Sequence, residues 1–283
     1  MIPTLTGIHF LLTYACPAAC DHCFLWGMPG RRGMTTAQVD TLLEQVASLG
    51  TVTAVCAEGG EAFLLPTVLR HFVRRAAKMG LQPSALTNAF WVSGPAQTRR
   101  RMTDLQEAGL TRIGISTDRW HRRTVPARRV DTLQEVCREI GLEAGRMETE
   151  PERVMHRGRA AVMLAPRRPL QPPHSLLQCP HENLAAPSRM HLDCYGRLHL
   201  CQGLQPGAGS LAEAIAGYVP GRHPIVSRLL AGGPWALAQA ARERGFQPES
   251  GYADACHLCY RVREFLRPAY PDLLGPDEMY GGR

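Results

Sequence analysis

From residue 5 to about residue 150, short apolar runs alternate with longer stretches in which apolar residues recur every three or four positions. A continuous apolar run suits a strand buried on both faces, and the three-to-four spacing suits a helix with one buried face. The pattern predicts strands over residues 6–13, 51–57, 81–87 and 111–116, with a weaker fifth from Leu142 onward. Helices are predicted over 35–49, 65–79, 96–108 and 130–140. Thr35 or Thr36 is placed to cap the first helix, and Gly50, Gly80 and Gly109 follow the ends of the first three. Such strand-helix repeats imply an α/β fold around a parallel sheet.

Beyond about Glu150 the rhythm fails. Proline and arginine crowd residues 151–175, which marks a linker or domain edge and divides the chain into residues 1–170 and 171–283. The second part carries a hairpin pattern, 189–193 and 197–201 around a turn at Cys194-Tyr195-Gly196, and helical segments at about 223–243. No internal repeat or low-complexity tract is visible.

Composition excludes some classes. The 283 residues are 45% hydrophobic and 20% charged, which fits a folded protein rather than a disordered or collagen-like one. The net charge of +7 comes from basic pairs and one triplet dispersed along the chain, with Lys78 the only lysine. Dispersed charge reads as solvated helix surface and argues against nucleic acid, whose binding needs a clustered patch. No apolar run is long enough to span a membrane, and the apolar N-terminus lacks the basic start of a signal peptide, so a cytoplasmic location is expected. Ten cysteines are too dilute for a secreted disulfide scaffold and point to metal or redox chemistry.

Cys16, Cys20 and Cys23 form C-x3-C-x2-C just after the first strand, at the end of a parallel sheet where α/β folds place their chemistry. Three thiolates suit an iron-sulfur cluster that leaves one iron open. With His22 as fourth ligand, the same set would suit a closed zinc knuckle. CPAACDHCF resembles the CxxxCxxC signature of the radical S-adenosylmethionine (SAM) superfamily. Three further segments resemble that family's motifs in the expected order. Gly59-Gly60-Glu61 follows the second strand like its GGE motif, Asn88 ends the third like its TN dipeptide, and Ser116 and Asp118 end the fourth like its SxD element. Taken singly, these could be a turn, a turn residue and a helix N-cap.

The resemblance implies a partial (β/α)6 TIM-like barrel with its last strand within residues 151–170. It also implies a 4Fe-4S cluster on Cys16, Cys20 and Cys23, and SAM held by His22, Gly59, Gly60, Glu61, Asn88, Ser116 and Asp118. A flavodoxin or ferredoxin is the implied electron donor.

Cys179, Cys194, Cys201, Cys256 and Cys259 lie in the C-terminal third. Cys256 and Cys259 have the C-x2-C spacing that lets two thiolates meet one metal site. Gly196 and Cys201, with the surrounding hairpin, resemble the SPASM and twitch auxiliary-cluster domains, and the absence of cysteines after Cys259 favours the shorter twitch form with one auxiliary 4Fe-4S cluster. Five cysteines compete for four positions. Cys179, Cys201, Cys256 and Cys259 are favoured, with Cys194 a substitute ligand, a fifth thiol or a redox-active one. A structural zinc site is the alternative.

Cys56, within a strand, and Cys137, on a helix, read as inert thiols. Trp26, Trp91 and Trp120 follow motifs and either line a substrate cavity or pack in the core. His156 to Ala160 either borders that cavity or forms a surface turn. His121, Glu143 and Arg157 are acid or base candidates by position alone, and the catalytic residue stays unassigned. By family analogy, the expected chemistry is hydrogen abstraction from a peptide or protein, with a small metabolite or tRNA as the other substrate classes. A non-catalytic zinc or iron-sulfur module is the alternative outside enzymes. With the first cluster at residue 16, no leader-recognition domain is expected ahead of the barrel, so a separate protein would recognise a peptide substrate.

Overall fold

A computed structural model describes residues 2 and 4–282. Seven strands among them form one sheet, in the order β5-β4-β3-β2-β1-β6-β7. They are β1 (Gly7–Thr13), β2 (Ala54–Gly59), β3 (Gln82–Thr87), β4 (Arg112–Ser116), β5 (Glu143–Met147), β6 (Arg189–Leu192) and β7 (Leu198–His199). All neighbours are parallel except the β6-β7 hairpin. The sheet is thus the mostly parallel α/β architecture that the periodicity predicts.

Helices α1 (Thr36–Ser48), α2 (Pro66–Lys78), α3 (Pro95–Glu107) and α4 (Ala127–Glu139) connect the first five strands. Thr35 starts α1 through a capping box, accepting from the Gln38 amide at 3.2 Å while Gln38 Oε1 accepts from the Thr35 amide at 2.9 Å. Such a cap contributes about 1 kcal/mol. Prolines stand in the first turns of α2 and α3, where the missing N–H costs nothing. Phe10 of β1 meets Phe72 of α2 edge to face, with ring centroids 4.9 Å apart, so α2 is anchored to the centre of the sheet.

Two boundaries differ from expectation in ways that matter for function. β2 runs from Ala54 to Gly59, later than predicted, because pairing of Gly7 with Ala54 sets its register and carries Glu58 and Gly59 into the strand. Residues 151–170, expected to hold the last barrel strand, contain instead short helical turns and α5 (Arg159–Met163). Pro151, Pro166 and Pro169 leave that segment without the run of donors a ladder needs. The sixth parallel strand is β6, paired with β1 at the opposite side from β5. A closed run from β5 to a sixth strand does not form, and β5 is an exposed edge.

The C-terminal residues add α6 (Leu211–Ala216), α7 (Val226–Arg242) and α8 (Ala255–Leu266). α7 bends at Gly232 and Gly233. Gly233 has φ +63° and lies so close to the Leu177 backbone that a Cβ would sit 2.2 Å from its carbonyl carbon. No described helix is long and apolar enough to cross a membrane.

Candidate active site

The loop between β1 and α1 folds back on itself to carry the first three cysteines. The Met28 amide donates to Tyr14 O at 3.2 Å and the Cys16 amide to Met28 O at 3.2 Å, closing the loop at its base. Its second clasp is Arg159 of α5, which donates to Cys20 O at 2.9 Å and Gly27 O at 2.6 Å, while its amide donates to Cys23 O at 2.8 Å. Burial pushes the Cys16 thiol up to about 11 and Cys20 up to about 12, with the neighbouring thiols adding to the effect. Both are therefore protonated at neutral pH, and a metal must displace those protons.

Gly59 and Gly60 press the end of β2 against this loop. The Gly60 amide donates to Thr13 O at 2.6 Å and the Glu61 amide to Ala15 O at 2.8 Å. A Cβ on Gly60 would lie 2.2 Å from Ala15 O, and Gly59 has φ +134°. The two glycines are thus needed for contact with the cysteine loop itself. Glu61 is buried and joins the ends of β2 and β3, its carboxylate accepting from the Asn88 amide at 2.7 Å, Thr87 Oγ1 at 2.9 Å and the Phe63 amide at 3.1 Å. Burial nevertheless raises its carboxyl to about 7, since the donors offset only part of the desolvation.

Asn88 donates from Nδ2 to Cys16 Sγ at 3.7 Å and accepts from the Phe90 amide in a turn. Asp118 acts as a cap and also faces two imidazoles. One carboxylate oxygen accepts from the Trp120 and His121 amides, as a cap does, and the other lies 2.8 Å from His121 Nδ1 and 3.2 Å from His22 Nε2. Burial would raise this carboxyl, but the two imidazoles outweigh it and hold it well below the usual carboxylate range. His22 is also stacked on Trp120, centroids 4.6 Å apart.

Cys16, Cys20, Cys23, His22, Gly59, Gly60, Glu61, Asn88, Ser116 and Asp118 all line one cavity of about 230 Å³ at the carboxyl ends of the strands. His121 lines it too, as do Glu58, Met147 and Met155. Trp26, Trp91 and Trp120 do not. Trp91 stacks on Phe63 with Arg101 above both, and Trp26 donates to Tyr260 OH at 3.0 Å. Glu143 is exposed at the amino end of β5 and is not part of the cavity lining.

A second thiol group gathers between α8, α7 and the hairpin. Cys179, Cys201, Cys256 and Cys259 line a common cavity with Arg157 and Arg263. Cys256 and Cys259 stand one helical turn apart at the start of α8, which Asp254 caps by accepting from the His257 amide at 2.7 Å. Burial pushes Cys259 up to about 11 and raises Cys179 and Cys256 as well. Arg157 donates to Cys201 Sγ at 2.8 Å and also faces Glu182. Cys194 is apart from this group, buried behind the hairpin turn with Sγ 3.7 Å from Arg32 O. Cys137 is buried on α4, within the hydrophobic core.

The segment His156 to Arg159 is no surface turn. All four residues are buried, and Gly158, with φ +59°, touches the Phe24 backbone. His156 Nδ1 meets Asp254 at 2.8 Å, so one short segment ties the first cysteine loop to the second thiol group. The sequence pattern alone does not single out Arg263. Its spacing from Cys259, one helical turn, is the signal that would have placed it once α8 is recognised.

In neither thiol group are the sulfurs drawn together as a single zinc ion would hold them. Among the described residues, neither thiol group has three sulfurs within 4.8 Å of one another. Four sulfurs on one zinc at about 2.3 Å would lie closer than that.

Residues 10–144 match the family described as the Radical SAM superfamily. Among solved structures, the chain is similar to the crystal structure of BtrN in complex with AdoMet and 2-DOIA, at 13% identity and TM-score 0.50, covering 80% of this chain and 87% of that one. It is also similar to selenomethionine BtrN in an open conformation, at 13% identity and TM-score 0.47, over 81% and 86% of the two chains. No curated protein matches the chain. Residues 10–144 therefore form a radical SAM domain, the domain of an enzyme of that class.

Proposed function

We propose that this enzyme binds SAM in the cavity at the strand ends, abstracts a hydrogen atom from a peptide substrate, and uses an auxiliary 4Fe-4S cluster on Cys179, Cys201, Cys256 and Cys259. The observation that carries the reading is the convergence of three thiols and seven expected SAM-contacting residues on one cavity. When bound, the cluster on Cys16, Cys20 and Cys23 and its SAM supply reductive cleavage to methionine and a 5'-deoxyadenosyl radical. A reduced flavodoxin or ferredoxin is the proposed electron source.

The chain's own residues have distinct tasks. Glu61 offers carboxylate oxygens toward the SAM ammonium while keeping β2 and β3 in place. Asp118 orients His22, and Trp120 backs it, so that an adenine meets a fixed imidazole face. Asn88 donates toward the Cys16 sulfur, which tempers the negative charge of a bound cluster. Around the second group, Arg157 and Arg263 supply two buried positive charges against four thiolates.

Peptide binding is supported by β5. It is an exposed sheet edge, its last residue Met147 lines the cavity, and an extended peptide could add to such an edge by backbone pairing. A small polar metabolite is the second reading, favoured by the buried Glu58 carboxylate on the cavity wall and by BtrN, of similar fold, having been crystallised with 2-DOIA.

Anaerobic reconstitution followed by assay of SAM cleavage with a library of unstructured peptides tests both. Peptide-stimulated 5'-deoxyadenosine and about eight irons per chain support the first reading. Stimulation only by small polar compounds supports the second. About four irons, lost entirely with Cys16→Ala, would remove the auxiliary cluster.

A further inference from the structure

Beneath the SAM cavity, on the face of the sheet that Glu58 shares with it, stands another set of metal-ligating side chains. Successive strand residues alternate between faces, so register decides which side chains stand together. His9 of β1 pairs with Cys56 of β2 on one side and with His191 of β6 on the other, which lines up an imidazole, a second imidazole and a thiol in one row. Glu58, two residues beyond Cys56, is on the same face one step nearer the cavity it lines.

The ligand atoms of His9, Cys56 and Glu58 all lie within 4.8 Å of one another. His9 Nδ1 is 3.2 Å from Glu58 Oε2, and His191 Nε2 is 2.9 Å from Glu58 Oε1. Ligand atoms about 2.1 Å from a tetrahedral ion stand about 3.4 Å apart, so these separations need little change to meet one.

Glu58 supplies an independent sign. It is 8% exposed, and among the described residues its carboxylate oxygens face only the two imidazole nitrogens, at 3.2 and 2.9 Å. No arginine or lysine pairs with it among the described residues. A carboxylate withdrawn from water carries a large desolvation cost, which a cation shared with those two imidazoles offsets.

We propose that His9, Cys56 and Glu58, with His191 as a further ligand, bind a divalent transition-metal ion, and that zinc is the ion whose chemistry they match. Two imidazoles, one thiolate and one carboxylate are borderline donors of the kind zinc takes, whereas magnesium and calcium require oxygen alone. The site is separate from both cysteine groups and assigns Cys56 a role other than packing. The proposal does not depend on SAM cleavage.

The test is zinc uptake by the full chain after its cysteine groups have been loaded with iron and sulfide. The loaded protein is equilibrated with zinc sulfate, desalted and analysed for zinc, iron and sulfide. About one zinc per chain is expected, with a zinc K-edge spectrum showing one sulfur and otherwise nitrogen or oxygen neighbours. His9→Gln and Cys56→Ser should each lower retained zinc at least tenfold while leaving iron and sulfide unchanged. Cys56→Ser is nearly isosteric, so it keeps the test valid if the His9 variant misfolds. Absence of zinc from the loaded wild-type chain, or equal zinc in wild type and Cys56→Ser, would overturn the assignment.

Discussion

Arg157 Nη1 donates to Cys201 Sγ at 2.8 Å, a charged hydrogen bond made by a side chain that is only 4% exposed. Burying a guanidinium is tolerable only against compensating negative charge. Glu182 supplies one such partner, at 3.3 Å, and Cys201 lies beside it. Arg263, also buried, approaches the same sulfur at 3.9 Å. The two arginines form a cradle suited to an anionic cluster on four thiolates. Burial alone would lower the Arg157 pKa, but Cys201, Cys256 and Glu182 reverse that and raise it above the ordinary arginine range.

Removing that charge should make the proposed auxiliary cluster harder to reduce. Arg157→Gln is expected to shift its midpoint potential negative by tens of millivolts, read by an anaerobic redox titration followed by electron paramagnetic resonance. Arg157→Lys, which keeps the charge, should recover most of the shift. An unchanged potential in Arg157→Gln would mean the guanidinium does not sense the cluster.

The two thiol groups should separate by mutation. Cys256→Ala or Cys259→Ala is expected to remove about half of the iron while SAM cleavage survives without substrate turnover. Cys16→Ala, Cys20→Ala or Cys23→Ala should abolish cleavage. Cys194→Ala should leave iron and sulfide unchanged, because its sulfur faces Arg32 O and stands apart from the other four.

Gly60 tests the close approach of β2 to the cysteine loop. In Gly60→Ala the new Cβ would be 2.2 Å from Ala15 O, so the loop must move. The expected cost is on the order of 3 kcal/mol in chemical denaturation, with weakened retention of the first cluster. Gly94→Ala makes the control, since its φ of 171° suits any residue and nothing lies within 4 Å of its Cβ position.

Glu61 predicts a pH dependence. Its carboxyl, raised to about 7 by burial, is largely protonated at pH 6 and ionised at pH 8 in the SAM-free protein. Folding alone gains nothing from this shift. A raised carboxyl pKa costs stability progressively as pH rises from the unfolded value toward 7. An ammonium beside Glu61 requires the carboxylate, so SAM affinity should rise about tenfold between pH 6 and pH 8. Equilibrium dialysis of SAM against the loaded protein checks the slope, and Glu61→Gln should bind more weakly with a flatter profile.

The strand-end motifs were legible because local chemistry marks them. CPAACDHCF, the glycine pair before Glu61, Asn88 and Asp118 each follow an apolar run, and the order of the runs carries them to one edge of the sheet. The pairing of β6 with β1 was not legible, since it joins residues 7–10 to residues 189–192 and no local pattern encodes that distance. The same long-range register hides the row of His9, Cys56 and His191. Helix α8 was missed because its sequence, ACHLCYRVREFL, puts arginines among apolar positions, and two of its residues are thiols read for their metal spacing alone. The motif marks Asp118 as a SAM residue, but its pairing with His22, His121 and two backbone amides arises only when the folded loop brings them together.

Cleavage of SAM tests the central claim most directly. The anaerobically reconstituted chain is mixed with SAM and dithionite, and 5'-deoxyadenosine is measured by liquid chromatography and mass spectrometry. Its formation by the wild-type chain, and its loss in Cys20→Ala, is the predicted result. A wild-type chain that retains four irons and sulfides at the first cysteine group yet produces no 5'-deoxyadenosine would contradict the account.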